Sequence, residues 1–270
     1  MAHITFIIIL YMKGMTKKMV LFDLDGTLLT SDGNIPLITT SVIKTCKLKG
    51  YHIGFITARS RSKKNIRLLE KLPYDFIAFY NGAEIYAENH LIESNVLPYE
   101  QATLMLQRLY KDFPDVEIDV HQEPWIFSSI CGEICHMESG DRNVCNLNKL
   151  PKCDVQRIRL KSKSLMSIPL RNYMFSESTF YYTTFGDAII VHKNANKGHA
   201  AKIASDFFDI PLSQIIAFGD DVNDIDMIKI VGTGVAMGNA IPSLKKIAHY
   251  VTETNDNNGV AIWIKKHLIQ

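Results

Sequence analysis

Two aspartates stand two residues apart in Asp23-Leu24-Asp25-Gly26-Thr27-Leu28, directly after the apolar run Met19-Val20-Leu21-Phe22. The run reads as a short buried strand and Gly26-Thr27 as the turn that follows it. Two anions at the tip of a buried strand are costly unless a cation and a positioned substrate neutralise them. Polar clusters also follow three other apolar runs: Thr57 with Arg59, Asn81-Gly82, and Asp220 with Asp221, Asn223 and Asp224. Lys197 opens a further predicted helix. Each feature alone has a plain structural explanation. Thr57 can cap a helix, the aspartates can favour a helix start, and Lys197-Gly198 can be a solvated turn. In an open α/β sheet, however, the carboxyl ends of the strands form the ligand-binding rim, so all of these explanations would have to hold at once.

The chemistry that suits the set is phosphoryl transfer. Asp23, Asp25 and Asp220 at one rim make a strongly negative hole. Hard oxygen donors with open coordination suit Mg2+, which keeps some of its waters and also binds phosphate oxygens. Mg2+ and Lys197 together would cancel the carboxylate charge and admit a phosphate dianion. Thr57 and backbone N–H groups at the turns can hold its oxygens. One carboxylate can then attack phosphorus, and a second, two residues away, can protonate the leaving alkoxide and later deprotonate water.

These residues need a scaffold that brings strand ends together, and the pattern supplies one. Val20–Phe22, His52–Ile56 and Phe76–Tyr80 read as strands. Between them lie a helix with Ile35, Ile38, Val42 and Cys46 at helical spacing, closed by Gly50, and a basic amphipathic helix over 60–72 stopped by Pro73. The last third repeats this grammar: helix 197–209, strand 215–218, helix 222–230, strand 234–237, helix 241–248, strand 250–252 and helix 260–268. Strands alternating with helices predict an α/β fold, a Rossmann-like parallel sheet core with helices on both faces. Residues 86–187 break the pattern, with one good helix over 98–113 and β-like runs at 116–120, 125–130 and 179–184. They read as an inserted α+β domain. The expected organisation is an N-terminal extension at 1–18, a core of 19–85 and 188–270, and an insertion at 86–187.

The chain has 270 residues, and its 30 basic and 28 acidic side chains leave a formal charge of +2. That balance gives no reason to expect a nucleic-acid partner. The apolar run from Ile4 to Met12 is too short to span a bilayer as a helix and lacks the flanks of a signal peptide. It reads as an extension without catalytic meaning, with Met15 or Met19 as an alternative start, and the expected location is cytoplasmic. Cys131, Cys135, Cys145 and Cys153 are separated by three, nine and seven intervening residues, with His136 beside the second. These intervals do not match paired zinc knuckles, and reduced, part-buried thiols are the simpler reading.

The same residues carry a family resemblance. Asp23-Leu24-Asp25-Gly26-Thr27-Leu28 resembles the first motif of the haloacid dehalogenase (HAD) superfamily, and Phe55-Ile56-Thr57-Ala58-Arg59 the second. Asn196-Lys197-Gly198 is similar to the third, and Phe218-Gly219-Asp220-Asp221-Val222-Asn223-Asp224-Ile225-Asp226-Met227 to the fourth. Val235-Ala236-Met237-Gly238-Asn239-Ala240 matches a stretch typical of the Cof-like phosphatase branch, which also places a cap domain between its second and third motifs.

The resemblance implies Asp23 as nucleophile and Asp25 as general acid/base. It implies Mg2+ held by Asp23, the Asp25 main-chain carbonyl and Asp220, with Asp224 behind them. The phosphoryl group would lie against Thr57, Lys197, Asn223 and the backbone around Leu24 and Ala58. Asn81-Gly82 would line the approach to the site. Arg59 resembles an arginine often found after the second motif, and a structural ion pair explains it equally well. Asp221 stands where many relatives carry a neutral residue, so it either alters metal preference or points away.

The expected activity is Mg2+-dependent hydrolysis of a small phosphorylated metabolite, a sugar phosphate or a phosphorylated cofactor, through an aspartyl-phosphate intermediate. The cap would close over the site and choose the substrate, with His121, Trp125 and Tyr182 as candidate contacts that burial in the cap core explains better. A phosphomutase or phosphotransferase would carry the same motifs and differ only in the acceptor. A non-catalytic binding module on this fold has no need to keep both aspartates, the lysine and the metal carboxylate together. An ion pump is excluded, because no run of 18 or more apolar residues occurs.

Overall fold

The computed structural model describes residues 18–130, 134–136, 143–183 and 186–269. The apolar run at 4–12, the alternative start at Met15 and Cys131 therefore lie outside the described residues. The chain divides into two compact units. The first gathers Met1–Phe55, Leu72–Asp75 and Ala201–Gln270, and the second Ile56–Lys71 and Phe76–Ala200.

In the first unit, β1 (Met19–Phe22) is buried at every position. Helix α1 (Leu37–Leu48) follows and buries Thr39, Val42, Ile43 and Cys46, an i, i+3, i+4, i+7 face. Of the residues expected on it, Val42 and Cys46 are there, whereas Ile35 precedes the helix and Ile38 is 38% exposed. Gly50 sits at φ +86 just past its end, the left-handed position a helix stop requires. Strand β2 (His52–Ile56) pairs in parallel with β1, Phe22 opposite Phe55.

In the second unit, the helix expected over 60–72 is confined to α2 (Lys63–Leu69), because Ser62 caps it by accepting from Asn65 N–H. Strands β3 (Phe76–Phe79), β4 (Glu84–Ala87) and β5 (His90–Ser94) form an antiparallel meander. Helix α3 (Tyr99–Asp112) turns Ala102, Met105, Leu106 and Leu109 inward. The rest of the middle is more regular than its polar sequence suggests. Strands β6 (Glu117–Gln122), β7 (Trp125–Ser128), β8 (Ile134–His136), β9 (Asn143–Asn146), β10 (Arg157–Lys161), β11 (Ser178–Tyr182) and β12 (Ala188–His192) make one sheet. Its order is β11-β12-β10-β6-β7-β9-β8, antiparallel except for β7 with β9. Ile118, Val120, Ile158, Leu160, Ala188 and Ile190 alternate onto the face that α3 covers. Helix α4 (Lys197–Phe208) leads back to the first unit.

The remaining elements belong to the first unit. They are β13 (Ile215–Gly219), α5 (Ile225–Ile230), β14 (Thr233–Ala236), α6 (Pro242–Ile247), β15 (Tyr250–Val251) and α7 (Gly259–His267). Strand β1 pairs with β2 on one side and β13 on the other, and β14 and β15 continue the row, every pair parallel. The order β15-β14-β13-β1-β2 reverses direction of winding at β1 and β13, the kind of switch point where open sheets place their ligands. Phe22 stacks on Phe218 at 5.3 Å, and Trp263 of α7 meets Phe218 edge-on at 5.4 Å. This aromatic column fixes the two strands whose ends carry the acidic motifs. The fold is thus a mixed α/β structure with a mostly parallel core, as the alternation predicts. Among the described residues no helix is long and apolar enough to cross a membrane.

Candidate active site

The carboxyl ends of β1 and β13 build an acidic cluster. Asp23 follows β1 directly and donates its N–H to the Phe218 carbonyl at 3.1 Å, which ties the two strand ends together. The chain then folds back on itself, with the N–H groups of Thr27, Leu28 and Leu29 all directed at the Leu24 carbonyl. Gly26 lies at φ +75, and a Cβ there would stand 2.2 Å from Asp220 Oδ2. The turn therefore passes over the Asp220 carboxylate so closely that only glycine fits. Thr27 completes the wrap by donating from Oγ1 to Asp220 Oδ1 at 2.8 Å.

Asp224 is fully buried and has a different task. Its Oδ2 accepts from Asp220 N–H at 3.0 Å and Asp221 N–H at 3.1 Å. Gly219 makes room for it, since a Cβ there would meet Asp224 Cγ at 2.5 Å. Asp221 caps the short 3-10 turn Val222–Asp224 by accepting from Val222 N–H at 2.8 Å. The helix expected over 222–230 accordingly starts as this turn and becomes α-helical only at Ile225.

One carboxylate oxygen from each of Asp23, Asp220 and Asp224 lies within 4.8 Å of the others. Asp23 and Asp224 are buried. Three anions gathered this closely out of water repel one another strongly unless a cation joins them. All-carboxylate donors are hard ligands that fit Mg2+ or a similar oxygen-seeking divalent ion. Asp224 spends Oδ2 on two backbone N–H groups and so also shapes the loop that carries Asp220. Asp25 is exposed and adds no carboxylate to the cluster, and the metal contact that the resemblance implies for it uses its main-chain carbonyl.

The stretch 237–241 braces this arrangement from outside. Met237 N–H donates to the Gly219 carbonyl at 3.0 Å, and Ile241 N–H to the Asp220 carbonyl at 2.9 Å. Asn239 Nδ2 donates to the Gly26 carbonyl at 2.8 Å, and its Oδ1 accepts from Asn255 N–H at 3.0 Å. Asn255 in turn holds the Leu29 carbonyl at 2.9 Å. Asn239 lies in a stretch that stands out in sequence, yet only the fold reveals that it grips the aspartate loop.

The second unit carries the other expected site residues. Thr57 is fully buried. Its Oγ1 accepts from Arg59 N–H at 3.0 Å, its N–H donates to Ala78 and its carbonyl accepts from Asn81 N–H at 2.7 Å. The turn Tyr80-Asn81-Gly82 has three successive positive φ values, 51, 60 and 112. A Cβ on Gly82 would stand 3.1 Å from the Asn196 carbonyl, so this turn lies against the start of α4. Asn196 caps that helix by accepting from His199 N–H at 2.8 Å. Lys197 is 1% exposed. A lysine this deep keeps its charge only beside anions. Arg59 donates to Asn65 Oδ1 at 3.0 Å, which gives it a role in holding the loop. Asn223, in the first unit, is half-buried on the turn after Asp221.

Among the candidate cap contacts, His121 is buried against the Tyr80 ring at 5.9 Å, and Tyr182 packs on the insertion's core. Trp125 is 37% exposed. Tyr181, one residue before Tyr182, faces the other side of β11, and its hydroxyl accepts from Asn81 Nδ2 at 2.9 Å. Period-two alternation separates these neighbours, but the sequence alone does not say which of the two faces outward. Of the clustered cysteines, Cys153 is an exposed free thiol, and nothing is described of the side chains of the other three.

Comparison with known proteins agrees with this geometry. The family model described as haloacid dehalogenase-like hydrolase matches residues 20–264. YkrA of Bacillus subtilis is 29% identical over 268 residues, covering 93% of this chain and 98% of that one. The 5-amino-6-(5-phospho-D-ribitylamino)uracil phosphatase YitU of the same organism is 25% identical, covering 92% and 97%. A solved haloacid dehalogenase-like hydrolase from B. subtilis superposes with a TM-score of 0.78 at 26% identity, over 93% of this chain and 99% of that one. With its motifs, its acidic cluster and these relatives in agreement, the chain belongs to the haloacid dehalogenase-like hydrolase family, as a phosphoric monoester hydrolase.

Proposed function

We propose that this enzyme hydrolyses small phosphorylated metabolites, a sugar phosphate or a phosphorylated cofactor, in a Mg2+-dependent reaction through an aspartyl-phosphate intermediate. The observation that carries the reading is the cluster of Asp23, Asp220 and Asp224 within 4.8 Å. The name of YitU, a phosphatase of a phosphorylated ribitylaminouracil, supports the substrate class. Residues 86–187 act as the cap on a core of 19–85 and 188–270. Free thiols at Cys46 and Cys153 suit a cytoplasmic enzyme.

Asp23, Asp220 and the Asp25 main-chain carbonyl are the groups that would hold Mg2+, with Asp224 fixing the loop behind them. Bound there, Mg2+ would neutralise the carboxylate charge and so let an anionic phosphoryl group approach. A carboxylate oxygen of Asp23 attacks phosphorus, and the bond from phosphorus to the ester oxygen breaks. The Asp25 carboxyl gives its proton to the departing alkoxide. Asp25, now ionised, takes a proton from water as that water attacks the phosphorus of the aspartyl phosphate. Inorganic phosphate leaves and Asp23 is restored as a carboxylate. Thr57, Lys197, Asn223 and the N–H groups around Leu24 and Ala58 hold the phosphoryl oxygens throughout.

The test is release of phosphate from a panel of phosphorylated metabolites, with and without Mg2+, by the wild-type chain and by Asp23→Asn. Selective release that needs Mg2+ and disappears in the variant is expected. Hydrolysis retained by Asp23→Asn overturns the nucleophile, and turnover unchanged in EDTA overturns the metal role.

A further inference from the structure

One run of contacts in the second unit serves none of the roles assigned so far. Arg157, the first residue of β10, donates from Nη1 to the Ala58 carbonyl at 3.0 Å. That carbonyl belongs to the same peptide group as the Arg59 N–H, which donates to Thr57 Oγ1 at 3.0 Å. A peptide group whose oxygen accepts from a guanidinium is polarised, and its N–H becomes a stronger donor. A hydroxyl that accepts such a bond must turn its own proton elsewhere.

Arg157 is itself held in place. Its guanidinium carbon stands 5.1 Å above the centre of the Tyr80 ring, a cation–π contact. The Tyr80 hydroxyl donates to Glu123, and the Tyr80 ring meets His121 edge-on. His121 is the cross-strand partner of Arg157 on β6. Tyr80 N–H donates to the Arg59 carbonyl at 2.9 Å, so the two carbonyls of the Ala58-Arg59 pair are gripped by Arg157 and by Tyr80. Tyr80 holds this position at φ +51, a backbone conformation that costs a non-glycine residue energy and persists only where its surroundings enforce it.

We propose that Arg157 is a positioning residue for phosphoryl transfer. It fixes and polarises the Ala58-Arg59 peptide, which in turn directs the Thr57 hydroxyl proton toward the phosphoryl group. The inference rests on the reading of Thr57 as a phosphoryl ligand. It also gives the insertion a task beyond choosing the substrate, because β10 belongs to the insertion and Thr57 does not.

A double-mutant cycle on the full chain separates this role from simple structural support. Thr57→Val, Arg157→Gln and the double variant are assayed with p-nitrophenyl phosphate and Mg2+, with inhibition by inorganic phosphate as a second readout and thermal unfolding as a check on folding. Each single change is expected to lower kcat/KM and to weaken phosphate inhibition by about tenfold, the effect of one lost hydrogen bond to a charged partner. The double variant should be no worse than the poorer single variant, since without the hydroxyl nothing is left to aim. Losses that multiply in the double variant would show that Arg157 acts apart from Thr57 and would overturn the inference. Wild-type activity in Arg157→Gln, beside an impaired Thr57→Val, overturns it as well while sparing the reading of Thr57. Wild-type activity in Thr57→Val overturns that reading and the inference with it. If Arg157→Gln does not fold, Arg157→Met, which keeps the stem over the Tyr80 ring, takes its place in the same cycle.

Discussion

At the scale of single residues, the acidic cluster depends on what is missing as much as on what is present. Gly26 and Gly219 leave the space that Asp220 and Asp224 fill. Gly26→Ala meets two obstacles, a left-handed backbone at φ +75 and a Cβ placed 2.2 Å from Asp220 Oδ2. Either the turn moves or the carboxylate does. The expected outcome is a stability loss of about 1–3 kcal/mol together with weakened Mg2+ binding. Urea unfolding and Mg2+ titration calorimetry measure the two separately, and unaltered Mg2+ binding would show that Asp220 is not confined by the turn. The motif's aspartates stood out in the sequence because carboxylates recur at successive predicted strand ends of one sheet, where separate structural explanations would all have to hold at once. The contacts of Asn239, Tyr181 and Arg157 were not, because each is defined by a partner distant in sequence.

At the scale of elements, the parallel core was legible because each strand and helix announces itself locally. Capping residues, helical spacing and glycine or proline stops mark α1, α4 and the strands around them. In the insertion the helix and three of the strands were legible too, but the sheet they build was not, because its strands are short, half polar and paired across long separations, as β6 is with β10. Packing decides their pairing, and packing is invisible before the fold is known. One consequence is a buried acid on β4. Glu84 accepts from Gln156 at 2.8 Å and from Tyr86 at 3.2 Å. Burial raises its carboxyl above the usual range, and those two hydrogen bonds offset the rise only in part. The folded chain therefore holds this proton more tightly than the unfolded chain does. Stability falls as pH rises from the unfolded pKa, about 4.3, through the raised folded value, and stays lower above it. Glu84→Gln keeps an acceptor for Gln156 without the charge. It should raise the melting temperature near pH 7, with the gain fading below about pH 4 as the wild-type acid protonates in both states. A variant less stable than wild type at pH 7 would mean that the ionised form is the one the fold favours.

At the scale of the whole molecule, the net charge of +2 conceals the feature that matters. Opposite charges elsewhere balance the sum, but a charge is screened beyond about 8 Å at physiological salt, so they do not cancel the local field of three carboxylates within 4.8 Å. Without a cation this repulsion is a standing charge on the stability of the whole fold. With one, the sign reverses, because an ion that binds only the folded state stabilises it by mass action, about 2.7 kcal/mol at a hundred times its dissociation constant. Asp220→Asn separates the two effects. The amide removes one negative charge and still offers Oδ1 to the Thr27 hydroxyl. In EDTA the variant should melt above wild type, since two carboxylates repel less than three. In saturating Mg2+ the order should reverse, because wild type gains the binding energy and the variant loses most of it. Melting curves of both chains across a Mg2+ series decide the matter. Parallel curves that never cross would mean that Asp220 neither feels the repulsion nor holds the ion, and the cluster would then have to be explained as loop architecture alone.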